Sequence, residues 1–164
     1  MSTALAPITA DGSAHELIQL VSFNLDQEQY GIDVLKVREI IRLPGITQVP
    51  NAPHSVDGVI NLRGKVIPIV SMRKKFGLPE IGSGFQTRIM VLDVAGELTG
   101  FVVDEVSEVI RVSAGEIQPS PVVAAGGIDQ ECICGIINQA ERLLVILDLE
   151  RMFHGDGRLQ FASP

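Results

Sequence analysis

Val56–Phe76 reads VDGVINLRGKVIPIVSMRKKF, and this stretch decides the fold. Two β-rich runs, Val59–Arg63 and Val66–Val70, flank Gly64-Lys65, and a two-residue loop with glycine first suits a type II′ hairpin. In that register Arg63 faces Val66, Leu62 faces Ile67, Asn61 faces Pro68, Ile60 faces Ile69 and Val59 faces Val70. Ile60, Leu62, Ile67 and Ile69 then share one aliphatic face, while Val59, Asn61, Arg63, Val66 and Pro68 share the other. Proline cannot donate to a central ladder, so the hairpin is expected at an edge or exposed, with Arg63 on display.

The frame recurs later in the chain without a gap. Gly58, Ile60, Asn61, Ile69 and Phe76 match Gly135, Ile137, Asn138, Ile146 and Phe153, with Leu143 on Val66 and Leu149 on Met72. A second echo precedes it: Val37–Arg42 matches Val106–Arg111, and Gly31 matches Gly100. Two blocks in the same order imply one fold of two similar halves. What the halves share reads as framework, and Asn61 and Asn138 fall in that group. What differs is free for function: Arg63 corresponds to Ala140, and Gly64-Lys65 to Glu141-Arg142.

A chain of 164 residues with 46% hydrophobic content can bury one core, and its Val and Ile content favours β structure. A net charge of −7 and a pI near 4.9 argue against a nucleic-acid surface. With no Trp and a single Tyr, Tyr30, there is also no base-stacking platform. No apolar run approaches the roughly 18 residues of a membrane span. The N-terminus lacks a basic start and an apolar h-region, so a cytoplasmic location is expected. Cys132 and Cys134 read as small apolar thiols in a reduced compartment. His15, His54 and His154 lack ligand spacing, no catalytic or nucleotide motif is present, and neither metal nor cofactor is expected.

Taken in order, residues 1–15 read as a disordered tail and 16–153 as a single domain. Leu17–Leu25 and Gln29–Ile32 form a first hairpin, and Asp33 caps a helix expected over Val34–Ile41. Ile46–Val49 reads as a short strand. Ser71–Phe76 reads as a short helix that leaves Arg73, Lys74 and Lys75 in water. Residues 77–86, with Gly77, Pro79, Gly82 and Gly84, form the boundary between halves. Thr87–Asp93 and Leu98–Val103 make the next hairpin; Val106–Val112 reads as helix or strand, and Ile117–Pro121 as extended loop. Ala124–Gly127 is a linker before Cys132–Asn138 and Leu143–Leu147, the second copy of the main hairpin. Asp148 caps Leu149–Phe153, and residues 154–164 are expected to fray.

Tyr30-Gly31-Ile32-Asp33 leading into Leu35–Ile40, and Asn61-Leu62-Arg63-Gly64 leading into Val66–Val70, make residues 16–153 resemble the CheW chemotaxis adaptor family. The resemblance implies a mostly β fold, two small five-stranded β-barrel subdomains around a shared hydrophobic core with a few short helices, and no active site. It implies an adaptor that couples methyl-accepting receptors to the regulatory domain of the histidine kinase CheA, pairs in rings with that domain or with other CheW copies, and is recruited to receptor arrays. The family's receptor-binding groove carries over to Val37, Glu39, Gly58, Arg63, Val106 and Val109. Its kinase or ring contact carries over to Gln118 and Val123, where this sequence departs from relatives with a basic and an aromatic residue.

Plainer readings stand beside these. Val37, Val106 and Val109 suit a core, Gly58 an unusual backbone angle, and Glu39 a pair with Lys36 or Arg42. An adaptor for a histidine-kinase pathway of motility or development would carry the same surfaces. An unrelated β-barrel ligand-binder or enzyme is disfavoured by the lack of a convergent polar set.

Overall fold

The structure is a computed structural model and describes residues 16–119, 133–139 and 142–154. The tail 1–15, the linker Ala124–Gly127, Val123, Cys132 and residues 155–164 lie outside the described residues. The first half runs β1 (Leu17–Leu25), β2 (Glu28–Asp33), β3 (Val37–Arg42), β4 (Val56–Leu62), β5 (Lys65–Ser71) and a short helix α1 (Met72–Lys75). The second repeats that order with β6 (Arg88–Val94), β7 (Glu97–Val103), β8 (Glu105–Ser113), β9 (Ile133–Gln139), β10 (Arg142–Leu147) and α2 (Leu149–His154).

These strands build two five-stranded sheets, β8-β1-β2-β10-β9 and β3-β6-β7-β5-β4. Each strand of one sheet has its repeat mate at the same place in the other. Each sheet also takes two strands from one half of the chain and three from the other. Residues 77–86 therefore separate the repeats in sequence without separating the sheets. The ladders stay open between β3 and β4 and between β8 and β9, so neither sheet is a fully bonded barrel. The chain that follows each edge strand spans the gap with an isolated bridge, Thr47 to Val59 and Gln118 to Ile136. Of the expected strand at Ile46–Val49 only the bridge residue Thr47 is paired.

Burial follows the alternation of side chains along the strands. Ile18, Leu20, Ile137, Leu144 and Ile146 pack inside the first sheet, and Ile60, Ile67, Ile69, Ile89 and Val91 inside the second. The opposite faces, with Val21, Phe23, Val70, Met90, Leu92 and Phe101, meet in a central cluster. Both faces of the inner strands are buried, which is why runs such as Ile89–Leu92 read as unbroken apolar text.

Three expectations are corrected. In the β4–β5 hairpin Leu62 pairs with Lys65, Asn61 with Val66, Ile60 with Ile67 and Val59 with Pro68. The loop is thus Arg63-Gly64, with φ of 51° and 89°, a type I′ turn that suits the strand twist. Asn61 Oδ1 accepts from the Gly64 N–H at 2.9 Å, so the shared asparagine is framework. Asp93 does the same for Gly96 at 2.9 Å in the β6–β7 turn. The slip moves every pair by two residues, an even number, and the aliphatic face keeps its members. Pro68 is tolerated because the parallel ladder from β5 to β7 starts one residue later, at Ile69.

The helix expected over Val34–Ile41 is a 3₁₀ turn, Val34–Lys36, followed by β3. Asp33 caps that turn through the Leu35 N–H at 2.9 Å. From Val37 the residues alternate between half-buried and exposed, and β6 supplies ladder partners from Leu92 to Arg88. Its repeat mate β8 is likewise a strand.

Arg73 is buried rather than solvated. Its guanidinium binds Asp104 at 2.9 Å, Asp26 at 3.0 Å and the Pro79 carbonyl at 2.6 Å, joining α1 to the β1–β2 turn and to the crossing between sheets. Lys74 pairs with Asp57 at 2.9 Å.

Burial pushes the Asp104 carboxyl upward, but the Arg73 hydrogen bonds and the Asp26 N–H outweigh it and hold the group below its usual value. Its contribution to stability is present above the unfolded value near 4 and fades as pH falls through the depressed folded value. Arg73→Met leaves Asp104 and Asp26 without their cation. The expected loss is about 2–3 kcal/mol in urea unfolding at pH 7, discounted from a fully buried pair because Asp26 is half-exposed. Between about pH 4 and pH 2 the variant should lose less stability than the parent, and an unchanged slope would remove Asp104 from the account.

Candidate interaction surface

Arg63 stands at the tip of the β4–β5 hairpin, and the positive φ of its turn carries the side chain off the ladder. Its guanidinium forms a two-pronged ion pair with Glu39: Nη1 donates to Oε2 at 3.1 Å, and Nη2 donates to Oε1. Glu39 lies on β3 and Arg63 follows β4, the two outermost strands of the same sheet. A contact between them requires the sheet to curl until its edges face, and the pair closes the gap at the end away from the Thr47–Val59 bridge. The Arg63 hydrogen bond, against a smaller opposing effect of burial, holds the Glu39 carboxyl below its usual range. Glu39 pairs with neither Lys36 nor Arg42. Lys36 binds Glu150 at 3.4 Å instead.

The valines fall at matched places on the two edge strands β3 and β8. Val37 and Val106, mates in the repeat, are half-buried against the central cluster. Val109 is 53% exposed, and so is not plain core. Its mate Ile40, which the sequence reading passed over, is 41% exposed. Ile40 pairs with Met90 and Val109 with Val21, both members of the central cluster, so the two side chains continue the rows begun by Val37 and Val106. The repeat itself was the signal that could have found Ile40.

Gly58 is buried beneath the crossing segment. A Cβ there would lie 2.1 Å from the Thr47 carbonyl oxygen and 2.8 Å from Ile46 Cγ2, and φ is +150°. Gly135 is in the same position under Ile117 and Gln118, at 2.5 and 3.0 Å. Gln118 is exposed on its bridge to Ile136, remote in the chain from Arg63 and on the other sheet. Val123 lies outside the described residues.

The structure thus brings together Glu39 and Arg63, sets Val37, Ile40, Val106 and Val109 along two edge strands, and uses Gly58 to seat the segment that flanks them. Edge strands that expose Ile40 and Val109 beside half-buried valines, with an ion pair at the sheet opening, fit the class of protein-interaction modules. The comparisons agree with that class. The CheW-like domain family model matches residues 19–156. The chain is 36% identical over 142 residues to chemotaxis protein CheW of Treponema pallidum, covering 84% of this chain and 83% of the relative. It is 36% identical over 141 residues to chemotaxis protein CheW of Helicobacter pylori, covering 86% and 84%. The crystal structure of scaffolding protein TtCheW from Thermoanaerobacter tengcongensis superposes with a TM-score of 0.79 at 34% identity, covering 87% of this chain and 91% of that one. This chain belongs to the CheW family of chemotaxis adaptor and scaffold proteins.

Gly58→Ala and Gly135→Ala separate packing from contact. Both must displace a crossing segment, and only Gly58 adds backbone strain. Gly58→Ala should lose on the order of 2–4 kcal/mol, and Gly135→Ala should lose less, read as urea midpoints with unchanged m. A Gly58→Ala protein of full stability would show that the glycine serves a partner instead of Thr47.

Proposed function

We propose that this chain is a non-catalytic, cytoplasmic adaptor that couples methyl-accepting chemotaxis receptors to the regulatory domain of the histidine kinase CheA. The observation that carries the reading is the Glu39–Arg63 pair at the opening of one sheet, on the edge strand β3 that also carries Val37 and the exposed Ile40. A receptor helix presents apolar side chains at helical spacing between polar ones. Val37, Ile40, Val106 and Val109 supply the apolar contact, and Arg63 offers rigid donors to a carboxylate or carbonyl of the helix. Gly58 contributes by seating Ile46 and Thr47. Gln118 and Val123 belong to a second surface, for the kinase domain or another CheW copy in a ring.

Bridging requires that the two surfaces work at once. A receptor tip and the kinase regulatory domain, mixed with this protein in a pull-down, should form a ternary complex. Mutual competition for the adaptor would overturn the bridging role.

Arg63→Ala tests the receptor side. Arg63 is solvent-exposed and the second half carries Ala140 at the matching place, so the melting temperature should stay unchanged. Receptor affinity should fall roughly tenfold to a hundredfold, the usual effect of losing a hydrogen bond to a charged group. Kinase binding should persist. A stable variant that couples receptors to the kinase at the parental level would remove Arg63 from the contact.

A further inference from the structure

We propose that residues 77–87 are the hinge of a reciprocal exchange, through which two copies of this chain trade their second halves and build a dimer of two complete two-sheet units. The strand order carries the inference. Four of the eight ladders, β1–β8, β2–β10, β3–β6 and β5–β7, join one half to the other. The hairpins that stay within a half, β1–β2, β4–β5, β6–β7 and β9–β10, are two-stranded ribbons, and such ribbons are marginal alone. Each of the three apolar clusters also draws side chains from both halves. A half without a partner half therefore encloses no core.

Nothing in those ladders requires that the partner half belong to the same chain. The covalent link is residues 77–87, and residues 79–86 are all exposed. The backbone hydrogen bonds of this segment are local, as in Leu78 N–H to Arg73 O, Arg73 Nη1 to Pro79 O, Gly84 N–H to Thr87 Oγ1, and Arg88 Nη1 to Phe85 O, and one exposed side-chain bond, Gln86 Nε2 to Glu105 Oε2 at 3.3 Å, reaches β8. Opening it therefore keeps the ladders of both sheets and takes from the clusters the half-buried Leu78 at the border of the central one. The segment also carries two large apolar side chains that the closed chain leaves in water, Ile81 at 60% and Phe85 at 88% exposure. In an exchanged dimer the two hinges run side by side, and these residues have each other to pack against.

Exchange and self-closure make the same contacts, so effective concentration decides between them. A short flexible link holds its ends at roughly millimolar effective concentration, so micromolar protein favours the closed monomer by about a thousandfold. Preventing self-closure removes that advantage.

Two forms of the full chain test this. In the first, Glu80–Gln86 is replaced by a stiff EAAAK-type helical spacer of about 30 Å, which holds the halves apart. Light scattering after gel filtration should give about twice the 17.7 kDa of the chain, with parental β content. A folded, monodisperse monomer would overturn the proposal. In the second, a protease site at Ser83-Gly84 is cut after folding, which decides the matter even if the spacer variant fails to fold. The two pieces should stay together through gel filtration, melt in one transition, and form mixed pairs with tagged pieces after joint unfolding and refolding. Pieces that separate as folded monomers, or that regain structure only with copies of themselves, would overturn it.

Discussion

Two short parallel ladders hold the architecture together. Ile69, Val70 and Ser71 of β5 run beside Gly100, Phe101 and Val102 of β7, while Leu144, Val145 and Ile146 of β10 run beside Gln29, Tyr30 and Gly31 of β2. The other six ladders are antiparallel. A parallel pair cannot be made by a tight turn and needs a long connection. Here each is made across the repeat, so every sheet is a joint product of both halves. The glycines mark the close approach: a Cβ at Gly100 would stand 2.7 Å from Ile69 Cδ1, and one at Gly31 would stand 3.0 Å from Leu144 Cδ2. Gly31 and Gly100 match in the repeat because both halves meet the same steric limit.

On this shared frame the halves diverge through charge. Each short helix is tied to a hairpin turn whose first residue has positive φ, Asp26 beside α1 and Ala95 beside α2. Beside α1 the helix supplies the cation, Arg73, and Asp104 accepts the Asp26 N–H at 2.7 Å. Beside α2 the signs are reversed. Glu150, the repeat mate of Arg73, accepts the Ala95 N–H at 3.1 Å and takes Lys36 as its cation. The Ala95 N–H and Lys36 hold Glu150 below its usual range. In both places a carboxylate satisfies the turn's N–H and a cation balances the carboxylate, so the geometry is kept while the residues differ. Glu39 and Glu108 are also mates, but the residue matching Arg63 is Ala140. The guanidinium at the sheet opening therefore belongs to one half alone.

Much of this was legible in the text, and the misses have definite causes. The repeat identified matching elements, paired Gly31 with Gly100 and Gly58 with Gly135, which prove to be closely packed, and picked out Asn61 as framework, which its bond to the Gly64 N–H bears out. The faces of the main hairpin were assigned correctly although its register was not, because a slip of two residues preserves a period of two. The turn chemistry was written in the chain as Asn61-x-x-Gly64 and again as Asp93-x-x-Gly96. Both place glycine second, as a type I′ turn requires. Val34–Ile41 is too short for helical and strand periods to separate, and the strand formers of Val106–Val112 were the better guide. Arg73 could not be read as buried, since its partners Asp26 and Asp104 are distant in sequence and meet only where the sheets cross. The exchange of strands was invisible for a related reason: a linear repeat records which elements match, not which ones pair.

The same geometry bears on how the proposed receptor contact could be reversible. Arg63 occupies a left-handed turn position, which a non-glycine residue adopts at a modest cost offset here by the hairpin twist. From there the guanidinium rests on Glu39 in solvent, where an ion pair is weak because water competes for both partners. A helix that covers the opening excludes that water and brings its own acceptors. Arg63 can then hold Glu39 with one edge of its fork and the partner with the other, because the guanidinium has more donors than one carboxylate can use. The free protein thus keeps the arginine in place without committing it. An arginine buried as deeply as Arg73, with its donors already spent on Asp26, Asp104 and Pro79, could not take that part.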